Sequence, residues 1–288
     1  MKISYERRKR TVGYIFISPW ILGAIGLLIF PVIFSIMLSF SKLQSITTYQ
    51  MKWVGLENYI KAFREDVTFL PLLWKEIKKM LLRTPLISVF SLIIGIILSK
   101  KIACRAFFRS VFFLPVVLGS GLVMQQLLGQ GIDSSSVETV RGIILPPAVQ
   151  LYIGERLTEA VSVFLSNITM VMWKSGVQIL LILGGIQSIS PSLYESARID
   201  SATEWEMFWK ITLPMITPVL LITIVYTIID SFTDSSNPIL EFLNNQMFTK
   251  VKFEYASATG WLYFIVIILF VGITFLCLYP AIRNVSEE

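Results

Sequence analysis

The sequence predicts an all-α integral membrane protein with six transmembrane helices. Hydrophobic residues make up 55% of the 288 residues, and charged residues make up only 15%. The mean hydropathy of +0.70 is far above that of a soluble globular domain. Several intervals free or nearly free of charge approach the length of about 20 residues that an α-helix needs to cross a bilayer. These intervals are therefore predicted as membrane-spanning helices.

The six predicted spans belong to one transmembrane domain, 1–288, which leaves no room for a separate soluble domain. They cover approximately 12–40, 82–99, 107–130, 160–187, 213–232 and 257–281. The first span follows five basic residues, lacks a small-residue cleavage pattern and continues to Phe40. It is therefore predicted as a retained membrane helix and not as a cleaved signal sequence.

The charge distribution predicts that both chain ends lie in the cytoplasm. A basic cluster precedes the first span and consists of Lys2, Arg7, Arg8, Lys9 and Arg10. Positive residues favour the cytoplasmic side, and six spans bring the C-terminus back to that side. On this orientation 188–212 is a cytoplasmic loop, while 41–83, 131–159 and 230–254 lie outside. The first outer segment contains basic residues that run against the rule, and the N-terminal cluster outweighs them; they include Lys75, Lys78, Lys79 and Arg83.

The residue inventory excludes several classes of site. The chain has no histidine, which excludes imidazole metal sites and histidine-based acid–base catalysis. Its two cysteines, Cys104 and Cys277, are expected as reduced thiols near the inner side. The net charge of +6 comes from basic residues that flank the spans at the membrane surface. These residues form no basic-aromatic face that would bind nucleic acid. No GxxxxGK[ST] motif occurs either, so energy for transport must come from another chain or from ion binding.

The loop 188–212 is unusually acidic for a segment on the cytoplasmic side. The stretch 194–200 predicts a short helix. Ser201-Ala202-Thr203-Glu204 fits a capping box that would start a second helix after a sharp break. Small side chains beside Glu195 would let the surface of a partner approach the backbone closely. Leu213-Pro214 then ends this element or opens the next.

The spacing in this loop resembles the EAA motif of the permease subunits of binding-protein-dependent ABC importers. The usual form of the motif is EAAxxDGA, followed further on by IxLP, and the register matches without a gap from Glu195 to Pro214. Ser196 stands in place of alanine at the second position of the motif, and Ser201 replaces its usual glycine. Other stretches, among them WVGLENYIKAF and FFRSVFFLPVVL, look like those of carbohydrate-uptake permeases.

This resemblance implies the MetI-like permease fold and a complex of several chains. The coupling loop (188–212) would seat a coupling helix in a cleft of a cytoplasmic ATPase subunit. The residues implied in this contact are Glu195, Ala197, Asp200, Ser201, Ala202, Leu213 and Pro214. The chain itself would be no enzyme and would bind no cofactor, since ATP and Mg²⁺ belong to two partner ATPase subunits. A second homologous permease and an extracellular solute-binding protein would complete an importer of a sugar or oligosaccharide in the bacterial cytoplasmic membrane.

Polar residues within two spans are candidates for the path of the substrate. In the fourth span one helical face carries Asn167, Lys174 and Gln178, with Trp173 beside them. In the fifth span a similar face carries Thr223, Thr227, Asp230 and Asp234, with Tyr226 adjacent. A lysine within a span costs about 2.5–3.5 kcal/mol, so Lys174 is expected to face a cavity or a partner, unless it reaches the outer interface. The two aspartates have an alternative as well, which is a solvated helix exit.

An ion-coupled secondary transporter or channel is the alternative function. Lys174 and Asp230 would then form an ion or proton relay. The sequence shows no internal repeat and no pair of interrupted helices of the kind expected for secondary transporters, which favours the importer.

Overall fold

The computed structural model describes residues 5–45, 50–100, 107, 110–112, 114, 154–234 and 236–287. Most of the predicted third span, 107–130, lies outside these residues, and so do Cys104 and the larger part of the predicted outer segment 131–159. The described residues are mostly helical, as predicted, with one small β-hairpin as the exception.

The first helical segment runs without a loop through most of the predicted first span. It consists of helix α1 (Tyr5–Ala24), a π-helical turn (Ile25–Ile29) and helix α2 (Phe30–Ser39). The π-helical turn directly precedes Pro31, which lacks the N–H that a continuous α-helix would use. The segment carries apolar side chains on all sides, and almost all of them are exposed. This is expected of a helix surface that faces lipid or another subunit.

A β-hairpin and a short helix follow this segment. Strands β1 (Ser41–Ser45) and β2 (Gln50–Trp53) pair in antiparallel fashion. Helix α3 (Glu57–Arg64) is tied to the hairpin by Asn58, whose Nδ2 donates to the carbonyl oxygens of Ser39 at 3.0 Å and Ser41 at 2.9 Å. These hydrogen bonds satisfy the buried amide and fix α3 against the end of α2.

Helix α4 (Phe69–Ser99) begins at Phe69, whereas the predicted second span begins at 82. Asp66 caps its start, since Oδ1 accepts hydrogen bonds from the backbone N–H groups of Thr68 at 2.8 Å and Phe69 at 3.1 Å. Burial raises the pKa of Asp66, but hydrogen bonds from Thr68, Tyr255 and Phe69 outweigh burial and hold this pKa below its usual range. The charged residues between 75 and 83 therefore lie in the same continuous helix as the predicted second span.

The remaining described helices belong to the second half of the chain. Their bounds are α5 (Glu155–Lys174), α6 (Gly176–Ser188), α7 (Pro191–Ile199), α8 (Glu204–Met207), α9 (Leu213–Thr233), α10 (Pro238–Asn244) and α11 (Phe253–Glu287). Two π-helical turns, Phe208–Thr212 and Asn245–Thr249, precede α9 and follow α10. Helices α5 and α6 meet at Ser175 with a bend of 55°, so the predicted fourth span, 160–187, is a bent pair and not a straight helix.

Four helices in the described part of the chain are long and apolar enough to cross a membrane, and the bent α5–α6 pair would add a fifth. The four are Val12–Ser39, Phe69–Ser99, Glu204–Thr233 and Phe253–Pro280. They overlap the first, second, fifth and sixth predicted spans. The total of six spans, the single domain and the cytoplasmic position of both chain ends stay predictions.

Packing divides the chain into two compact units. The first comprises Met1–Lys75 with Pro238–Val266, and the second comprises Glu76–Asn237 with Ile267–Glu288. Within the first unit, Oη of Tyr255 donates a hydrogen bond of 2.6 Å to Asp66. This bond joins the start of α11 to the turn before α4.

The core of the second unit lies where α4, α6 and α9 pack together. One buried cluster comprises Ile182, Ile186, Ile189 and Ile216, and side chains of α4 pack against it. Two glycines permit this close approach. An ideal Cβ at Gly95 would lie 2.9 Å from Cγ2 of Ile182, and one at Gly185 would lie 2.9 Å from Cγ2 of Val219. Carbon atoms do not approach this closely in a packed interior, so both positions need a residue without a side chain.

Candidate functional site

The coupling loop begins with a helix that ends in a left-handed turn. The backbone N–H of Ser201 donates to the carbonyl of Arg198 at 3.1 Å, and that of Ala202 donates to the carbonyl of Ala197 at 2.9 Å. This pair of bonds is a Schellman motif, which satisfies carbonyl groups left open at a helix C-terminus. The motif requires one residue in the left-handed region, and Ser201 occupies it with φ of 61°. The family-typical glycine at this position thus has a conformational reason.

Helix α8 starts with a capping box, but not with the predicted one. The side chain of Thr203 accepts a hydrogen bond from the backbone N–H of Glu206, and the backbone N–H of Thr203 donates to Glu206 Oε2 at 2.9 Å. The predicted box at Ser201 and Glu204 is therefore wrong by two residues. Ser201 already serves in the turn that ends α7, so the next hydroxyl residue begins α8.

The two ends of the coupling loop are held together by side-chain contacts. The hydroxyl groups of Tyr194 and Thr212 lie 2.9 Å apart and form a hydrogen bond. Glu204 lies 3.5 Å from Arg198 and 3.7 Å from Lys100 at the end of α4. These ion pairs are well exposed and add little stability each. A cleft of about 380 Å³ opens between the end of α4 and the loop.

The predicted coupling residues lie mainly on the open surface of this loop. Glu195, Asp200 and Ser201 are exposed, and the small side chains of Ala197 and Ala202 are half-buried beside them. Leu213 and Pro214 form the first turn of α9. The loop can thus offer two carboxylates and a closely approachable backbone to a partner.

Sequence analysis missed an aromatic cluster on the same loop. The rings of Trp205 and Trp209 lie 5.5 Å apart, and those of Phe208 and Trp209 lie 5.1 Å apart. Trp205 is 70% exposed. The spacing of i, i+3 and i+4 within a helix would have placed these rings together.

A second site is a small polar cavity between α4, the end of α5 and the end of α9. We name it the polar cavity; its volume is about 30 Å³. Its lining includes Lys174, Thr227, Asp230 and Asp234, which the sequence singled out. The Lys174 side chain is mostly buried and forms ion pairs with both aspartates, at 3.4 Å to Asp230 Oδ2 and by a shorter contact to Asp234 Oδ2. Lys174 thus faces the polar cavity and the two aspartates at the end of α9.

Asp234, which follows the last residue of α9, is held in its charged form. Burial raises the pKa of its carboxyl, but Lys174 and hydrogen bonds from Ser236 outweigh burial and lower the pKa to about 2. The carboxylate therefore stays ionised at neutral pH.

Helix α4 contributes further polar residues to the cavity, and all but Thr84 belong to the segment 41–83 that sequence analysis placed outside. They are Glu76, Lys79, Arg83 and Thr84. Lys79 Nζ lies 2.6 Å from Glu76 Oε1. Steps of three and four residues place 76, 79 and 83 on one helical face, which was the signal available in the sequence.

A buried row of polar side chains continues from the polar cavity into the core. Gln178 Nε2 donates a hydrogen bond to Thr227 Oγ1 at 3.2 Å, and Thr227 Oγ1 donates one to the carbonyl of Thr223 at 2.7 Å. Thr223 Oγ1 in turn donates to the carbonyl of Val219 in its own helix. Gln178 Oε1 and Thr84 Oγ1 are buried without a hydrogen-bond partner among the described residues. Unpaired buried polar atoms are costly, so water or a ligand is the expected partner.

Five of the predicted path residues do not line the polar cavity. Two of the five, Gln178 and Thr223, belong to the buried row of polar side chains, and three remain. They are Asn167, Trp173 and Tyr226. The bend at Ser175 changes the helical phase, so the face expected to join Asn167 to Gln178 is not continuous. Tyr226 is about one third exposed.

The chain matches a known protein family over most of its length. A model of the family "binding-protein-dependent transport system inner membrane component" matches residues 84–286. The chain belongs to this family. The matched residues are more than half of the chain and contain the whole coupling loop.

Relatives of this family member extend along most of its length. The probable ABC transporter permease protein YesP of Bacillus subtilis (strain 168) is 27% identical over an alignment of 296 positions, which covers 95% of this chain and 91% of YesP. The arabinooligosaccharides transport system permease protein AraP of Halalkalibacterium halodurans is 26% identical over 234 residues, 80% of this chain and 71% of AraP. A chain of a bacterial alginate ABC transporter, solved in complex with an alginate pentasaccharide-bound periplasmic protein, superposes with a TM-score of 0.64 at 19% identity and covers 95% of this chain and 96% of that one. The family member therefore shares the fold of that transporter chain.

Proposed function

We propose that this chain is a transmembrane subunit of an ATP-driven ABC importer that moves a sugar or oligosaccharide across the cytoplasmic membrane by alternating access. Membership in the transport family supports the role, and relatives such as AraP, which is named for arabinooligosaccharides, support the substrate class. The observation that carries the proposal is the coupling loop, whose Glu195 to Pro214 register forms an exposed helix, a left-handed break and a second helix.

The proposed topology has six spans in one domain, with both termini in the cytoplasm. The basic cluster before α1 supports this orientation. It places the coupling loop inside and the C-terminal end of α9 outside. The polar cavity then lies toward the outer side of the membrane.

In the proposed complex the coupling loop docks in a cleft of an ATPase subunit, which binds ATP and Mg²⁺. The exposed carboxylates of Glu195 and Asp200 meet polar or basic groups of that subunit. Ala197 and Ala202, which are joined by the hydrogen bond of the left-handed break, let the partner approach the backbone. Since α6 ends and α9 begins at the two ends of this loop, rigid-body movement of the loop tilts both helices.

The substrate path in this proposal includes the polar cavity and the row of polar side chains below it. Lys174, Asp230, Gln178, Thr227 and Thr223 supply donors and acceptors of the kind that sugar hydroxyls need. The outer candidates Asn167, Trp173 and Tyr226 belong to the wider path. A second homologous permease supplies the other half of the path, and an extracellular solute-binding protein delivers the substrate.

The assembly is tested by purification of the tagged chain after cross-linking in its native membrane. Two ATPase subunits with Walker motifs and a second permease should copurify in stoichiometric amounts. A lone chain or a homo-oligomer that transports in vesicles with only an ion gradient would refute the importer and favour an ion-coupled transporter, for which the Lys174 ion pairs would then serve as the relay.

The coupling role is tested by Glu195→Lys in the complete complex. Reversal of this exposed charge should leave insertion and ATP hydrolysis intact while uptake falls at least tenfold, because the loop no longer transmits movement. Glu241→Lys is the control, since Glu241 is an exposed acid of α10 outside the coupling loop. Normal uptake by Glu195→Lys would speak against the coupling role.

A further inference from the structure

Three charged side chains fasten the corner of the bent helix pair to the end of α9. Lys174 is the last residue of α5, directly before the 55° bend. Asp230 lies in the last turn of α9, and Asp234 is its C-cap residue. Both carboxylates contact the same ammonium group, and the paired residues lie 56 and 60 positions apart in sequence. The contact therefore joins α5 to the end of α9.

The position of this contact matters because of the space beside it. The polar cavity has a volume of only about 30 Å³. Pockets that hold small organic ligands measure roughly 300–1,000 Å³. A sugar therefore passes here only after α4, the α5 end and the α9 end have moved apart.

The burial of the three side chains suits a contact that is stable and still breakable. Lys174, Asp234 and Asp230 have side-chain exposures of 17%, 22% and 37%. An ion pair at this depth is stronger than a surface pair, yet its charges regain water when the walls separate. Arg83 lines the same cavity but forms no salt bridge among the described residues. A substitution of Arg83 therefore changes the positive charge of the cavity without removing the ion pairs of Lys174.

We propose that Lys174, Asp230 and Asp234 form an ion latch that keeps the substrate path closed on its outer side, and that the latch must open before substrate can enter. The outer position of the latch rests on the proposed function and its orientation. The latch itself rests on the contacts between α5 and the end of α9. The latch makes the closed conformation the resting one until the binding protein and ATP shift the balance.

The test measures access to the polar cavity from outside the cell. The intact complex carries Thr227→Cys, with Cys104 and Cys277 replaced by serine, and is treated with a membrane-impermeant thiol reagent. Thr227 is buried beside the latch, so its reactivity reports opening. Lys174→Gln should raise the labelling rate about tenfold, between the effects of an exposed and a buried ion pair. Lys174→Arg should restore a slow rate, and the control Arg83→Gln should leave it unchanged.

Each result has a definite meaning. An unchanged rate in Lys174→Gln overturns the latch, and an equal rise in Arg83→Gln overturns it too, since loss of positive charge alone would then explain the opening. Labelling that occurs only from the cytoplasmic side overturns the outer position. Copurification of the ATPase subunits is measured on the same samples, so failure of the importer assignment is seen separately. If Lys174→Gln fails to assemble, Asp234→Asn takes its place and should also raise the labelling rate about tenfold.

Discussion

Replacement of Gly185 by alanine should weaken the packing of α6 against α9 at the base of the coupling loop. An ideal Cβ at this position lies 2.9 Å from Cγ2, 3.1 Å from Cβ and 3.2 Å from Cγ1 of Val219. Valine is branched at Cβ and holds one preferred rotamer in a helix, so no rotation relieves all three contacts. Overpacking of this kind costs about 1–3 kcal/mol.

The neighbouring residue provides a matched control. Nothing lies within 4 Å of an ideal Cβ at Gly184. Both substitutions gain about 1 kcal/mol of helix propensity, and this gain cancels when the two variants are compared. Gly184→Ala should therefore be neutral or stabilising, and Gly185→Ala should be the less stable of the two by about 1–3 kcal/mol.

The assay is thermal unfolding of both purified variants in one detergent, followed by the helical circular dichroism signal. Each kcal/mol shifts Tm by roughly 2–4 °C in proteins near this size, so Gly185→Ala should melt roughly 2–12 °C below Gly184→Ala. Scan rates must be equal, since unfolding of such proteins is often irreversible. Equal Tm values would refute the close contact between α6 and α9.

The coupling loop and the ion latch give three more expected outcomes. Ser201→Gly removes a left-handed strain worth about 1 kcal/mol and should slow hydrogen exchange at the N–H of Ala202 about fivefold; equal rates in Ser201→Gly and Ser201→Ala would contradict this. Thr203→Ala loses an N-cap worth about 1 kcal/mol, so exchange across α8 should quicken about fivefold while Thr203→Ser stays near the original rate; unchanged exchange in the alanine variant would rule out the cap. The lowered pKa of Asp234 stabilises the fold above its unfolded value of 3.8, and this contribution is lost as the pH falls toward about 2. The original chain should thus lose more Tm between pH 4 and pH 2 than Asp234→Asn does, and parallel curves would count against the ion pair.

Local sequence rules located the break in the coupling loop but not the residue that starts the second helix. Two overlapping patterns, Ser201 with Glu204 and Thr203 with Glu206, both fit a capping box. The choice depends on how α7 ends, because its Schellman motif uses Ser201 and leaves Thr203 as the first free cap. A pattern read for one helix alone cannot contain that information.

Insertion cost predicted that Lys174 needs a polar environment, and it did not identify every partner. Asp230 and Asp234 were candidates from their own helical face, but their contact with Lys174 depends on packing between α5 and α9. The bend at Ser175 also changes which residues share a face, so Asn167 and Gln178 separate. Periodicity holds along a straight helix, and a bend between two apolar segments carries no strong compositional signal.

The basic residues at 75–83 count against the proposed orientation only where they face the membrane surface. The positive-inside rule concerns charges in the flanks of spans, which meet lipid headgroups and water. Lys79 is paired with Glu76, which is 7% exposed, and Arg83 lines the polar cavity. The carboxylate of Glu76 thus takes the place of a headgroup for Lys79, while Arg83 borders the cavity. Of the basic residues at 75–83, Lys75 and Lys78 are the exposed ones that still oppose the N-terminal cluster of five, so this stretch counts less against the proposed orientation.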